Sequence, residues 1–147
     1  MPTHSETRTL PYSAQQMYDL VADVESYPEF LPWTAAARIR SDVDKGDHRV
    51  MDADLVISFK VFRERFTSRV VSWPEDLKID TEYLDGPFKK MVSNWAFEDT
   101  DTGCKVHFFV DFEFRNVILQ KIIGVVFNEA MQRVVKAFEK RADALYG

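Results

Sequence analysis

The chain has 147 residues, 46% of them hydrophobic and 29% charged, a composition that builds one soluble core and excludes intrinsic disorder. No apolar run reaches the roughly 18 to 20 residues that cross a bilayer. The net charge is −5, and its excess lies early: residues 1–59 carry 5 basic and 10 acidic groups, residues 60–147 carry 14 of each. Proteins that live on nucleic-acid phosphates carry a basic surplus, so no DNA partner is expected and any RNA contact needs a local patch.

The opening Met1-Pro2-Thr3-His4-Ser5-Glu6 has neither the basic flank nor the apolar segment of a secretory signal. Cys104 is the lone cysteine, which rules out a disulfide framework or a thiolate cluster within one chain. Aromatic residues number 12 Phe, 5 Tyr and 3 Trp, a heavy load that hints at a roomy apolar interior. No repeat or linker-like stretch interrupts the chain, so one domain over 1–147 is expected.

After a short strand near residues 5–10, Ser13 and Gln16 have the spacing of a capping box. Met17, Leu20, Val21 and Val24 then recur at helical spacing, predicting a helix over about 14 to 24. Tyr27-Pro28-Glu29-Phe30-Leu31-Pro32-Trp33 is apolar but bracketed by prolines, so it reads as a short helical turn or loop.

From Thr34 to Phe114 the period becomes two. Turn residues divide this stretch into strands near 35–44, 48–59, 61–73, 77–83, 88–98 and 104–114. The last is the clearest, with Cys104, Val106, Phe108, Val110, Phe112 and Phe114 alternating with Lys105, His107, Asp111 and Glu113. That is an antiparallel sheet with one dry and one wet face. Its cover is a helix over about 117 to 145, capped by Asn116. Residues 117–127 of that helix are apolar nearly all round, so they are buried, line a cavity, or touch a membrane or partner. Gly124 in this half reads as a site of close approach or a bend.

No metal, nucleotide or nucleophile motif is present. His107 and Asp111 share a wet face with Lys105 and Glu113 and read as a solvated charge ladder, while Cys104 reads as a small buried hydrophobe. Glu64 falls in register with Phe62 and Phe66 on the dry face. A lone buried carboxylate is costly, so Glu64 either meets a polar partner in a cavity or is turned out by a bulge or a strand edge. The aromatic dry face itself fits a packed core or a cavity.

The element order resembles the α+β helix-grip, or START-like, fold: a curved antiparallel sheet of about seven strands, two short helices after the first strand, and a long C-terminal helix across the concave face. The segment 27–33, together with Leu84-Asp85-Gly86-Pro87-Phe88 and Trp95-Ala96-Phe97, resembles the signatures of the coenzyme-Q-binding protein family. That family lies within the polyketide cyclase/dehydrase group, which also holds a bacterial ribosome-association toxin. Relatives often carry cysteine where this chain has Thr34, a departure that argues against thiol chemistry there.

The resemblance implies a non-enzymatic module that binds ubiquinone or a similar isoprenoid between sheet and helix and supports respiration or quinone biosynthesis. The cavity residues would be Tyr27, Phe30, Leu31, Trp33, Leu55, Phe62, Phe66, Trp95, Phe97, Phe108, Phe112, Ile123, Val126, Phe127 and Ala130, with Glu64 a candidate head-group contact. One buried isoprene unit contributes roughly 3 to 4 kcal/mol, so two or three offset the cost of association. The rest of the tail would leave through the 27–33 loop. That loop would also dip into a membrane, with Lys89, Lys90 and Lys121 facing lipid phosphates or simply aiding solubility. A bacterial cytoplasm with peripheral contact to the inner membrane or respiratory enzymes is the expected setting. Two alternatives remain: polyketide aromatase/cyclase action sensitive to Glu64, and a ribosome-binding toxin that blocks subunit joining through a basic face of Arg63, Arg65 and Arg69.

Overall fold

The computed structural model describes residues 3–59 and 62–147, apart from the side chains of Phe59 and Phe62. Strand β1 (Thr3–Leu10) leads into helix α1 (Ala14–Ala22) and a 3-10 helix (Val24–Glu29). Six strands follow: β2 (Thr34–Asp44), β3 (Arg49–Phe59), β4 (Phe62–Trp73), β5 (Lys78–Asp85), β6 (Phe88–Thr100) and β7 (Gly103–Phe114). Helix α2 (Val117–Tyr146) ends the chain's regular structure.

The seven strands form one antiparallel sheet in the order β1-β7-β6-β5-β4-β3-β2. Strands β2 to β7 are a simple meander, and β1 pairs beyond β7 at the opposite edge from β2. The two short helices therefore carry the chain across the sheet. This is the helix-grip, START-like arrangement that the resemblance implies.

Helix α1 starts where the capping box places it. The Ser13 hydroxyl accepts from the Gln16 N–H at 3.0 Å, and the Gln16 side chain accepts from the Ser13 N–H at 3.0 Å. Its buried face is Ala14, Met17, Tyr18, Leu20 and Val21, with Tyr18 edge-on to Phe97 at 6.1 Å. The helix stops at Ala22, two residues short of the expectation, because the chain tightens into the 3-10 helix that contains Pro28. Trp33 then enters β2 with φ 61, an uncommon backbone state for a bulky residue. Its carbonyl is held by the Ser58 N–H at 2.8 Å.

Helix α2 is attached unevenly along its length. At its start the Asn116 side chain accepts from the Leu119 N–H at 3.0 Å, and the Gln120 side chain accepts from the Phe114 N–H at 2.7 Å. Its far end is clamped to the α1 region: Ala142 is fully buried, Tyr12 donates to Asp143, and Tyr146 donates to the Gln16 carbonyl at 3.3 Å. Between these ends it meets the sheet through rings, Phe127 against Phe112 at 4.9 Å and Phe138 against Trp95 at 5.1 Å.

The β6–β7 turn depends on Gly103. Its φ is +155, and an added Cβ would lie 1.9 Å from the Leu10 carbonyl oxygen, where β1 ends. Gly103→Ala is expected to destabilise the protein by on the order of 2 kcal/mol or more, read from urea unfolding midpoints. A midpoint equal to wild type would contradict this account of the turn.

Candidate functional site

A cavity of about 270 Å³ lies between the concave face of the sheet and α2. Strand register explains why it is hollow. One row of neighbours across the sheet is Val70, Thr81, Ser93 and Val110, all short side chains. The adjoining row is Ile79, Trp95 and Phe108, and on the other side stand Phe66, Phe88, Phe112 and Phe114. The tall rings prop α2 away from the floor, and the short row between them leaves a trough. Ser68, Thr81 and Ser93 give that trough hydroxyl groups, while Leu119, Ile123, Ala130, Met131, Val134 and Phe138 roof it.

Among the residues expected at the cavity, Tyr27, Leu31, Trp33, Leu55, Phe66, Trp95, Phe108, Phe112, Ile123 and Ala130 do line it. Four others do not. Phe97 sits nearer the β6–β7 turn, under Tyr18 of α1. Phe30 packs edge-on against Phe138 at 5.3 Å, with the Arg141 guanidinium 5.2 Å from its ring centre. Phe127 stands behind Phe112, and Val126 is half-buried beside it, outside the lining. The side chain of Phe62 lies outside the described residues. Sequence reasoning missed Phe88, Met91, Met131, Val134 and Phe138, and above all the hydroxyl residues. The signal for these was present: Thr81 and Ser93 occupy dry-face positions where an apolar residue would be usual.

Glu64 resolves simply. The β3–β4 register runs through it unbroken, pairing it with Ile57, so there is no bulge. The β4–β5 pairing ends at Thr67 with Asp85, which leaves Glu64 on an unpaired edge. It is exposed and forms part of the cavity rim, so the cavity opens to solvent there.

The 27–33 loop is anchored to the fold through two of its rings. Tyr27 donates to the Val21 carbonyl, and burial holds its phenol well above the ordinary range. Tyr27 and Phe30 both pack against Phe138. Lys89 is paired with Glu113 at 3.3 Å and Lys90 with Asp111 at 3.0 Å, and Lys121 is exposed on α2. Gly124 is not a close approach, since nothing lies within 4 Å of an added Cβ.

His4, which the sequence places at an unremarkable terminus, is buried. Its Nε2 lies 2.7 Å from Glu6 and its Nδ1 3.3 Å from Asn128, while Arg8 joins Glu6 to Glu139. This polar clamp ties β1 to α2, and the His4 ring lies 6.4 Å from that of Phe108. Cys104 has no exposure, and burial pushes its thiol up, so it is an inert hydrophobe. Among the described residues no group of three or more His, Cys, Asp or Glu is placed to hold a metal ion. Tyr27 and Glu64 are the titratable side chains of the described cavity lining.

The outer face of β2 to β4 is a second feature. Arg69 donates to both oxygens of Asp52 at 2.8 and 3.1 Å. Asp54, 4% exposed, accepts from Arg40 at 2.7 Å and from the Thr67 hydroxyl at 2.6 Å. Arg38, Arg63 and Arg65 on this face are exposed and form no ion pair among the described residues. The face thus carries a local basic excess in an acidic protein. Arg69, one of the three arginines expected to act there, is largely neutralised by Asp52.

Residues 10–139 match the family of polyketide cyclases/dehydrases and lipid transport proteins. The ribosome association toxin RatA of Rickettsia prowazekii is 41% identical over 145 residues, covering 97% of both chains. A mitochondrial coenzyme Q-binding protein COQ10 homolog B from Xenopus laevis is 34% identical, covering 98% of this chain and 59% of that longer one. A START superfamily protein from Mycobacterium smegmatis superposes with a TM-score of 0.80 at 21% identity, covering 97% and 98%. The chain belongs to the polyketide cyclase/dehydrase and lipid transport family, with the START-like fold. That family's description spans both catalysis and lipid carriage.

Asp54 makes a pH prediction. Burial opposes its ionisation, but hydrogen bonds from Thr67 and Arg40 and the charges of Arg40 and Arg65 outweigh it, so its carboxyl is held below the usual range. Stabilisation from a depressed carboxyl is present above its unfolded pKa of about 3.9 and is lost as pH falls through the folded value. Asp54→Asn is therefore expected to melt lower than wild type at pH 7 and to lose less Tm on acidification below about pH 4. Parallel melting curves for the two proteins would contradict this.

Proposed function

We propose that this protein acts by binding, and that it associates with ribosomes as the name of its RatA relatives indicates. The observation that carries this reading is the similarity at 41% identity over 97% of each chain. The charge arrangement supports it independently. Arg38, Arg63 and Arg65 are exposed cations on the sheet face without a direct ion pair among the described residues, which suits RNA phosphates. The cavity lining supports binding over catalysis, since its titratable groups are a phenol held protonated and a carboxylate at the solvent rim. A cyclase reading that relies on Glu64 lacks an acid or base inside.

Co-sedimentation with ribosomes at several salt concentrations tests this reading. Replacing both Arg63 and Arg65 with Ala should weaken association and reduce the slope of log K against log salt by about two. Unchanged affinity and slope would remove these arginines from the interface. Failure of wild type to co-sediment would remove the reading.

A second reading is favoured by the cavity itself. We propose that it holds an apolar ligand, an isoprenoid quinone being the form suggested by the printed name of the COQ10 relative. At about 270 Å³ it exceeds the ~150 Å³ that houses benzene and approaches the ~300 Å³ of small-ligand pockets. A ring fits against the hydroxyls of Ser68, Thr81 and Ser93, and a long tail has to leave past Leu55, Ile57 and Glu64. Solvent extraction and mass spectrometry of protein purified from a quinone-containing host should find the ligand. Val134→Phe, which fills the trough from the helix side, should lower the content several-fold. An equal quinone content in the variant would place the ligand elsewhere.

A further inference from the structure

The outward stripe of α2 changes character along its length. In the back half it is Glu129, Gln132, Arg133, Lys136 and Lys140, all exposed and polar. In the front half it is Val117, Ile118, Ile122 and Val125, at 67%, 69%, 36% and 86% exposure. Ile118, Ile122 and Val125 fall one above another at i, i+4 and i+7, with Val117 beside them, and they face away from the cavity roof. An exposed valine or isoleucine is ordinary when single, and a stripe of three with a fourth alongside marks a contact surface. None of the described residues covers it.

The charges around the stripe select its occupant. From Phe114 to Asn128 there is no acidic residue, while Arg115 precedes the stripe and Lys121 stands within it. An apolar band of about 16 Å carrying cations and no anions is too short to cross a bilayer. It is the pattern of a helix lying in the plane of an anionic membrane surface. A second copy meeting it about a two-fold axis would bring Lys121 close to Lys121, which disfavours self-association. Lys121 on an apolar helix face, with Arg115 just before the helix, is also a poor match to nucleic acid, unlike the arginines on the far side of the sheet.

We infer that the front half of α2 docks on an anionic lipid surface, with Ile118, Ile122 and Val125 in the acyl boundary and Lys121 and Arg115 at lipid phosphates. Docking in this pose puts the roof of the cavity, Leu119 and Ile123, one helix thickness from the lipid. The inference is independent of the ribosome reading.

Flotation with vesicles tests it directly. Vesicles of equal parts phosphatidylglycerol and phosphatidylcholine should bind wild type, and vesicles of phosphatidylcholine alone should bind it less. Val125→Glu and Ile118→Glu should each lower partitioning roughly tenfold or more, while Lys121→Glu should remove the preference for phosphatidylglycerol. Both apolar positions are exposed, so these variants should keep the wild-type circular dichroism spectrum and ribosome co-sedimentation measured without lipid. Absent vesicle binding, or binding unchanged in Val125→Glu and Ile118→Glu, would overturn the inference. A concentration-dependent dimer in light scattering that Val125→Glu abolishes, without vesicle binding, would overturn it in favour of a second copy.

Discussion

One helix has to cover the concave face of a seven-stranded sheet, and the packing of rings beneath it decides how closely it can settle. Trp95 and Phe108 on one side and Phe88, Phe112 and Phe114 on the other stand taller than the Val70–Thr81–Ser93–Val110 row between them. Phe138 and Phe127 rest on those rings rather than on the floor. Close packing is the rule in protein interiors, so a trough persists only where its walls are held apart. Here the walls are held by edge-on aromatic contacts and by the clamp of α2 onto α1. Removing a prop such as Phe138 would both enlarge the trough and loosen the helix.

The same sheet presents a different chemistry on its outer side. Buried Asp54 bonds Arg40 and Thr67, and Asp52 bonds Arg69, so part of this face is a lattice of paired charges. The arginines left over, Arg38, Arg63 and Arg65, are positioned by backbone register on a stiff surface. The front of α2, by contrast, is apolar with Lys121 as its exposed cation. The two surfaces lie on opposite sides of the sheet, differ in chemistry and share no residue.

The fold was largely legible because alternation is a local signal. Strand β7 reads off directly from Cys104 to Phe114, and the Ser13–Gln16 pair fixes the start of α1. The site was legible only in part. Alternation says that Trp95 and Thr81 share a dry face, but not that short residues from four strands line up beside one another. That alignment depends on register, which hairpin lengths and the irregular step at Thr67–Ser68 set and which no single segment displays. Phe30 and Phe97 look like cavity residues in sequence because apolarity does not say which neighbour a ring will meet. Glu64 was ambiguous for a related reason. Its face followed from period two, while its exposure followed from where β5 stops pairing.

The central proposal is that the outer face of β2 to β4 meets the ribosome through Arg38, Arg63 and Arg65, which form no direct ion pair among the described residues. Dicarbonyl modification of arginine, mapped by peptide mass spectrometry with and without ribosomes, tests it most directly. The account predicts that Arg38, Arg63 and Arg65 lose reactivity in the complex while Arg133, exposed on α2, keeps it. Protection of Arg133 with the three sheet arginines still reactive would contradict it.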